Sequence, residues 1–210
     1  NGGFRINSAD TKLTIEGGEF NTNSGSGFTD YNGTKVVKGG KFTDEGAQNW
    51  AKKYIAEGFK MNADGEVVEK DYVAQIGEQK YESLQEAFDD VKNGQTIALV
   101  SDIEQVDGVI ITDKNITIDL NDKTFTVSEG ASTNNRNFKI NGSSVVTIMN
   151  GTMVAKGDIK SGAYGTVRTE DSAKVKLNDV KAYSYRGYGL NVKACTGTKI
   201  TIENSEIFSQ

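Results

Sequence analysis

The sequence predicts an all-β chain wound as a right-handed parallel β-helix, three strands to a coil, with a short capping α-helix at about 83–93. Two observations carry that expectation. One pattern recurs six times along the chain, and each full period holds three short alternating segments and no helix.

The pattern is clearest at Asn115–Thr126, NITIDLNDKTFT. It returns as TKLTIEGGEF (11–20), TKVVKGGKF (34–42), VVTIMNGTM (145–153), AKVKLNDVKA (173–182) and TKITIENSEI (198–207). An apolar anchor at Ile15, Val37, Leu120, Ile148, Leu177 or Ile202 is followed five positions on by Phe20, Phe42, Phe125, Met153, Ala182 or Ile207. Two positions before the anchor stand Leu13, Lys35, Ile118, Val146, Val175 and Ile200, of which only Lys35 is polar. Two positions after it come Gly17, Gly39, Asp122, Asn150, Asp179 and Asn204. These residue types tolerate a left-handed backbone, so a bend with positive φ is expected at each copy.

Anchors are spaced by 22 residues (15 to 37), 28 (120 to 148), 29 (148 to 177) and 25 (177 to 202), periods that belong to stacked or radial repeats. Around Ile148 the segments are Phe138/Ile140, Val146/Ile148 and Met153/Ala155. Around Leu177 they are Val167, Val175/Leu177 and Ala182, and the last copy gives Leu190/Val192, Ile200/Ile202 and Ile207. Strands with one apolar face, joined by polar corners, describe a three-sided coil. Stacked coils place equivalent strands about 4.8 Å apart and line the inward residues up in files. A leucine-rich repeat would need its own leucine spacing and a recurring helix, and a propeller blade would need four antiparallel strands in a longer period.

Between Phe42 and Thr96 the repeat is interrupted. Ala47, Trp50, Ala51 and Tyr54 share one helical face, with Gly58 as a stop, and FKMNADGEVVE reads as a hairpin turning at Asp64-Gly65. A second helix is capped by Ser83 and Glu86, carries Leu84, Ala87, Phe88 and Val91 as its apolar stripe, and ends at Gly94. The expected organisation is residues 1–42 as the last coils of one module, 43–70 as its closing helix and hairpin, and 71–210 as the cap and first coils of a second. One continuous solenoid with 43–95 as a side excursion is the alternative. The opening NGGFRINSAD reads as the middle of a repeat and SEIFSQ stops inside one, so a piece of a longer protein is expected.

Composition removes many chemistries. The 210 residues contain no histidine, which takes away the commonest general base and the commonest zinc ligand. A net charge of −5 with mixed signs argues against nucleic acid or an anionic membrane as partner. The lone cysteine, Cys195, allows no internal disulfide and reads as a strand thiol. No run approaches the roughly 20 apolar residues of a membrane span.

The stretch YVAQIGEQKYESLQEAFDDVKNGQTIALVSDIEQVDGVIITDKNITIDLNDKTFTV (72–127) resembles the pectate-lyase-like parallel β-helix modules of large secreted or wall-attached proteins of Gram-positive gut bacteria. The cap helix matches at Tyr81–Ala87, the first strand at Gly94–Leu99 and the first full coil at Ile116–Phe125; GGEF (17–20), GGKF (39–42) and the following WAKKYIAEGFKMNADGEVV look like the closing part of such a module. The resemblance implies an extracellular, cell-surface or secreted repeat of structural, adhesive or glycan-contacting kind. The same superfamily holds polysaccharide lyases, glycoside hydrolases and phage tailspikes, so the fold does not choose among them.

No catalytic residue, metal site or cofactor is predicted. The column Asp122, Asn150, Asp179 and Asn204 could pair carboxylates or hold a cation, but glycine at the same slot in the first two copies points to a turn. Asn62-Ala-Asp64-Gly65-Glu66 lacks the spaced ligands of a calcium loop. The candidate contact surface lies on the corners after the third strand, at 127–138, 154–165 and 183–189. Stacking would gather there Arg136, Tyr164, Arg168, Tyr183, Tyr185, Arg186 and Tyr188, residue types suited to sugar rings and protein interfaces. Ordinary packing among strand and turn tyrosines is the competing explanation. The expected partners are a glycan or a host or bacterial surface protein. End-to-end or edge association of open β-helix ends is also expected.

Overall fold

Period-two runs bounded by Gly, Asn and Asp become strands, and the fold is all-β with parallel sheets. A computed structural model describes residues 8–22, 28, 32–128, 136–156, 165–185, 187–193 and 196–210. The chain divides into two compact units, Asn1–Asp71 and Tyr72–Gln210.

In the first unit, β1 (Lys12–Ile15) pairs in parallel with β3 (Thr34–Val37), and β2 (Glu19–Phe20) with β4 (Lys41–Phe42). Ile15 lies opposite Val37 and Phe20 opposite Phe42, whose rings stack at 5.0 Å. Helix α1 (Glu45–Lys52) stops short of Tyr54 and Gly58, where the apolar face and the expected stop would have carried it. The Asp44 carboxylate accepts the Ala47 N–H at 2.9 Å and fixes the N-terminus, which leaves Tyr54 beyond the helix. Strands β5 (Phe59–Met61) and β6 (Val67–Glu69) form the expected hairpin, its turn held by Asn62 Oδ1 accepting from the N–H groups of Asp64 and Glu66. Bridges from Val37 to Ile55 and from Lys41 to Glu66 cover the far side of β3–β4. Ile15, Val37, Phe42, Ala47, Trp50, Ala51 and Val67 make the core.

The second unit opens with the antiparallel pair β7 (Ala74–Ile76) and β8 (Gln79–Tyr81), then α2 (Leu84–Asp90). The Ser83 hydroxyl accepts the Glu86 N–H, as the capping pattern predicts, and Lys114 Nζ donates to the Phe88 and Val91 carbonyls at the other end. Leu84, Ala87, Phe88 and Val91 join Ile97, Leu99 and Ile118 in one core.

Twelve further strands follow: β9 (Thr96–Leu99), β10 (Ile103–Gln105), β11 (Val109–Thr112), β12 (Asn115–Asp119), β13 (Thr124–Val127), β14 (Arg136–Asn141), β15 (Val145–Ala155), β16 (Gly165–Thr169), β17 (Lys174–Ser184), β18 (Tyr188–Val192), β19 (Lys199–Glu203) and β20 (Glu206–Ser209). They form three parallel ladders. The first runs β9, β12, β15, β17, β19 and aligns Ile97, Ile118, Ile148, Leu177 and Ile202. The second runs β10, β13, β15, β17, β20 and aligns Ile103, Phe125, Met153, Ala182 and Ile207. The third runs β11, β14, β16, β18 and aligns Val109, Phe138, Val167 and Leu190. Strands β15 and β17 pass through both of the first two ladders, bending at Asn150 and Asp179.

Two expectations about register are corrected. The partner of Ile148 is Ile118, not Leu120. Seven residues separate Ile118 from Phe125, against five from Ile148 to Met153, so the first corner is longer by two. Leu120 is nonetheless fully buried, because it packs over Gly151, where a Cβ would lie 2.6 Å from its own. The left-handed bend falls as expected at Asp122 (φ 59°), Asn150 (58°), Asp179 (57°) and Asn204 (48°). In the first unit it falls on Gly18 (104°) and Gly40 (98°) rather than Gly17 and Gly39. A second left-handed column, which the repeat pattern did not reveal, turns the third ladder into the first at Asp113, Gly142, Asp171 and Gly197. Its side chains reach the neighbouring level: Asp113 accepts from the Ser143 N–H and hydroxyl, and Asp171 from the Gly142 N–H. Those Ser143 bonds hold the Asp113 carboxyl below its ordinary range.

Candidate functional site

Alternation decides what the outer face of each ladder shows. Past the inward Ala182 and Ile207, the next residues are Tyr183 and Phe208, partners in register, whose rings lie 4.9 Å apart and nearly parallel. Beside them Tyr185 is 47% exposed, its N–H held by the Ala155 carbonyl. Tyr183, Ser184, Tyr185, Phe208, Ser209 and Gln210 line a shallow cavity of about 310 Å³, an aromatic shelf rimmed by small polar groups.

The other expected contact residues do not line this shelf. Tyr188, 62% exposed, begins β18 in one row with Gly165 and the buried Arg136. Arg168 stands three positions further along β16, on the row of Lys139 and Asn191, and pairs with Glu170 at 2.6 Å. Burial raises the Glu170 pKa, but the charges of Arg168, Lys139 and Lys193 outweigh it and hold this carboxyl below its ordinary range. Arg168 is thereby engaged with its own ladder. Tyr164, Arg186 and Cys195 lie outside the described residues, as do most of the corners at 127–138 and 154–165.

Two residues important here escaped the sequence reading. Phe208 was legible in principle, since it occupies the outward slot after Ile207 just as Tyr183 does after Ala182. Asn137 was not. It is fully buried, and its Nδ2 donates to the carbonyls of Phe125 (2.6 Å) and Val154 (3.2 Å), fixing the start of β14 against the second ladder.

A second concavity of about 340 Å³ follows the corner column and is lined by Asp122, Gly151, Thr152, Asp179, Val180, Lys181, Asn204 and Glu206. Among the described residues no three carboxylate, thiol or imidazole groups converge closely enough to hold a metal ion. No described helix is long and apolar enough to cross a membrane. No family model, curated protein or solved structure matches this chain.

Proposed function

We propose that the chain is a stretch of right-handed parallel β-helix, of the pectate-lyase-like module type, serving as a non-catalytic structural or adhesive repeat of an extracellular bacterial surface protein. Support for the winding comes from register: consecutive repeats supply consecutive strands in each of three parallel ladders. In this reading the aromatic shelf of Tyr183, Tyr185 and Phe208 contacts a glycan or a partner protein. The observation that favours it is an exposed, flat aromatic surface beside hydroxyl and amide groups, the combination that receives a sugar ring. A glycan array followed by titration tests the contact. Tyr183→Ala and Tyr185→Ala should each weaken binding about tenfold or more. Unaltered binding by both variants would remove the shelf from consideration.

The polar groove favours a second reading, a polysaccharide lyase or hydrolase. Asp122, Asp179 and Glu206 with Lys181 supply both carboxylates and a base candidate. The same side chains follow successive levels of the corner without converging on one point, which is why binding is preferred over chemistry. New unsaturated or reducing ends on acidic or neutral polysaccharides, with calcium present, would reverse that preference.

A further inference from the structure

Three Asn-Gly pairs occur in the second unit, at 93–94, 141–142 and 150–151. An asparagine followed by glycine can close into a ring, because a glycine nitrogen with no side chain beside it can reach the asparagine amide carbon. The folded surroundings decide which pair does so. Two groups help: a donor on the amide oxygen, where negative charge gathers, and a base on the attacking N–H.

Asn141-Gly142 has both. Asn141 ends β14, and Gly142 makes the left-handed corner that turns the third ladder into the first. From the preceding level Thr112, the register partner of Asn141, donates its hydroxyl to Asn141 Oδ1 at 2.5 Å. From the following level the Asp171 carboxylate accepts the Gly142 N–H at 2.9 Å. Glycine is required there, since φ is 66° and a Cβ would lie 2.3 Å from Asp113 Oδ1. Each of the other pairs is arranged differently. Asn93 Oδ1 accepts the Asn115 N–H at 2.8 Å, but the Gly94 N–H rests on the Asn115 carbonyl at 2.7 Å, which takes no proton. At Asn150 the carboxylate sits on the other nitrogen: Asp119 accepts from the amide Nδ2 at 3.1 Å.

We infer that Asn141 is a self-modification site, converted without an enzyme to a succinimide and then to aspartate or isoaspartate. The Gly142 nitrogen attacks Asn141 Cγ while its proton passes to Asp171, and the Thr112 hydroxyl stabilises the charge on Oδ1. The bond from Cγ to Nδ2 then breaks, and Asp171 returns the proton so that ammonia leaves. Water opens the ring at one carbonyl to give aspartate, or at the other to give isoaspartate with an extra methylene in the backbone. Ring closure must turn the Asn141–Gly142 peptide, which the Ser144 hydroxyl resists by donating to the Asn141 carbonyl at 2.6 Å. The conversion is therefore slow, an ageing of one rung. Either product adds a carboxylate to a corner that already holds Asp113 and Asp171. This inference stands whatever the aromatic shelf binds.

The test is long incubation of the folded whole chain at neutral pH, followed by peptide mapping with mass and isoaspartate detection. Asn141 should gain the mass of deamidation at least about fivefold faster than Asn93 or Asn150, and Thr112→Val or Asp171→Asn should each slow it at least about fivefold. In concentrated urea, with both supports gone, the three sites should age at similar rates. Ageing of Asn141 no faster than Asn93 and Asn150 in the folded chain overturns the inference. So would an unchanged rate in both variants with circular dichroism unaltered.

Discussion

The two units make the same bend with different backbones. At the corner after the anchor strand, the first unit uses glycine pairs whose second member, Gly18 or Gly40, has φ near +100°, a region closed to residues with a side chain. The second uses Asp or Asn with φ between 48° and 59°, as the pair Asn121-Asp122 at the longer corner and singly at Asn150, Asp179 and Asn204, which their short polar side chains tolerate. The glycine corner lets successive levels approach closely, as the 2.2 Å clearance at Gly39 records. The Asx corner offers polar atoms to its neighbours, as where Asn150 Nδ2 donates to Asp119 at 3.1 Å. One residue class in one sequence slot therefore conceals two structural solutions with different tolerance to change.

Substitution at the corners should separate the two most strongly. Gly39→Ala is expected to destabilise the first unit by about 3 kcal/mol, because the contact it creates is with backbone that cannot swing away. The only tryptophan, Trp50, lies in that unit's core, so its emission during urea unfolding reads the effect directly. Asp179→Gly at the equivalent bend should change the second unit by less than about 1 kcal/mol, since both residues accept φ 57°. Equal losses at the two sites would mean that the corners are not different in kind.

Within the second unit, the longer corner is where packing and bend are coupled. Leu120→Ala should cost about 2–5 kcal/mol by leaving a cavity. Gly151→Ala should cost about 1–3 kcal/mol by pressing a methyl group onto Leu120 and the Lys123 carbonyl. The double variant should cost about as much as the two together, because Leu120→Ala keeps the Cβ that the new methyl group meets. A double variant that costs markedly less than the sum in chemical denaturation would show that the strain at Gly151 comes from the outer part of the leucine side chain instead.

Smaller effects distinguish the units by pH. The Asp44 carboxylate, which caps α1, accepts hydrogen bonds from the Thr22 hydroxyl and from the Ala47 and Thr22 N–H groups, and its pKa is lowered from 3.8 to about 2. Its contribution is fully present above the unfolded value of 3.8 and is lost as pH falls through about 2. The second helix is capped by the Ser83 hydroxyl, which does not titrate in this range. Acid should therefore shift Trp50 emission in the parent and leave Asp44→Asn less sensitive between those values. At the alkaline end the order reverses. Tyr81 donates to Asp90 at 2.6 Å, and that bond, with burial and the carboxylate charge, pushes the phenol up to about 12. Its contribution holds below the ordinary value of 10.0 and disappears as pH rises through about 12, within the second unit only. Ultraviolet titration of the phenolate should show Tyr81 titrating late, and Asp90→Asn should bring it down.

Much of the strand content could be read from period-two apolar patterning, the first helix from its apolar face and the second from its Ser83 cap. Register was legible only where corners are of one length. From Ile148 onward the five-residue step holds, and the files Ile148–Leu177–Ile202 and Met153–Ala182–Ile207 follow from sequence. At Leu120 it failed, because a buried leucine two positions past the true anchor carries the same apolar signal as the anchor itself. The contact surface was legible in part. Tyr183 and Tyr185 do meet at one shelf, whereas Arg168 is claimed by Glu170 and Arg136 is buried on another ladder.

What the sequence determined by itself was local: which segments extend, where the chain can turn left-handed, and which helix ends are capped. Each of these is set by interactions over a few residues, through side-chain branching, backbone φ and short-range hydrogen bonds. Tertiary structure decided what depends on neighbours 20 to 30 residues away. It chose the residue that fills each file, the glycine that must yield space to the level below, and the aromatic ring that faces outward. Inter-strand distance and side-chain volume fix those choices, and a chain read one residue after another carries neither.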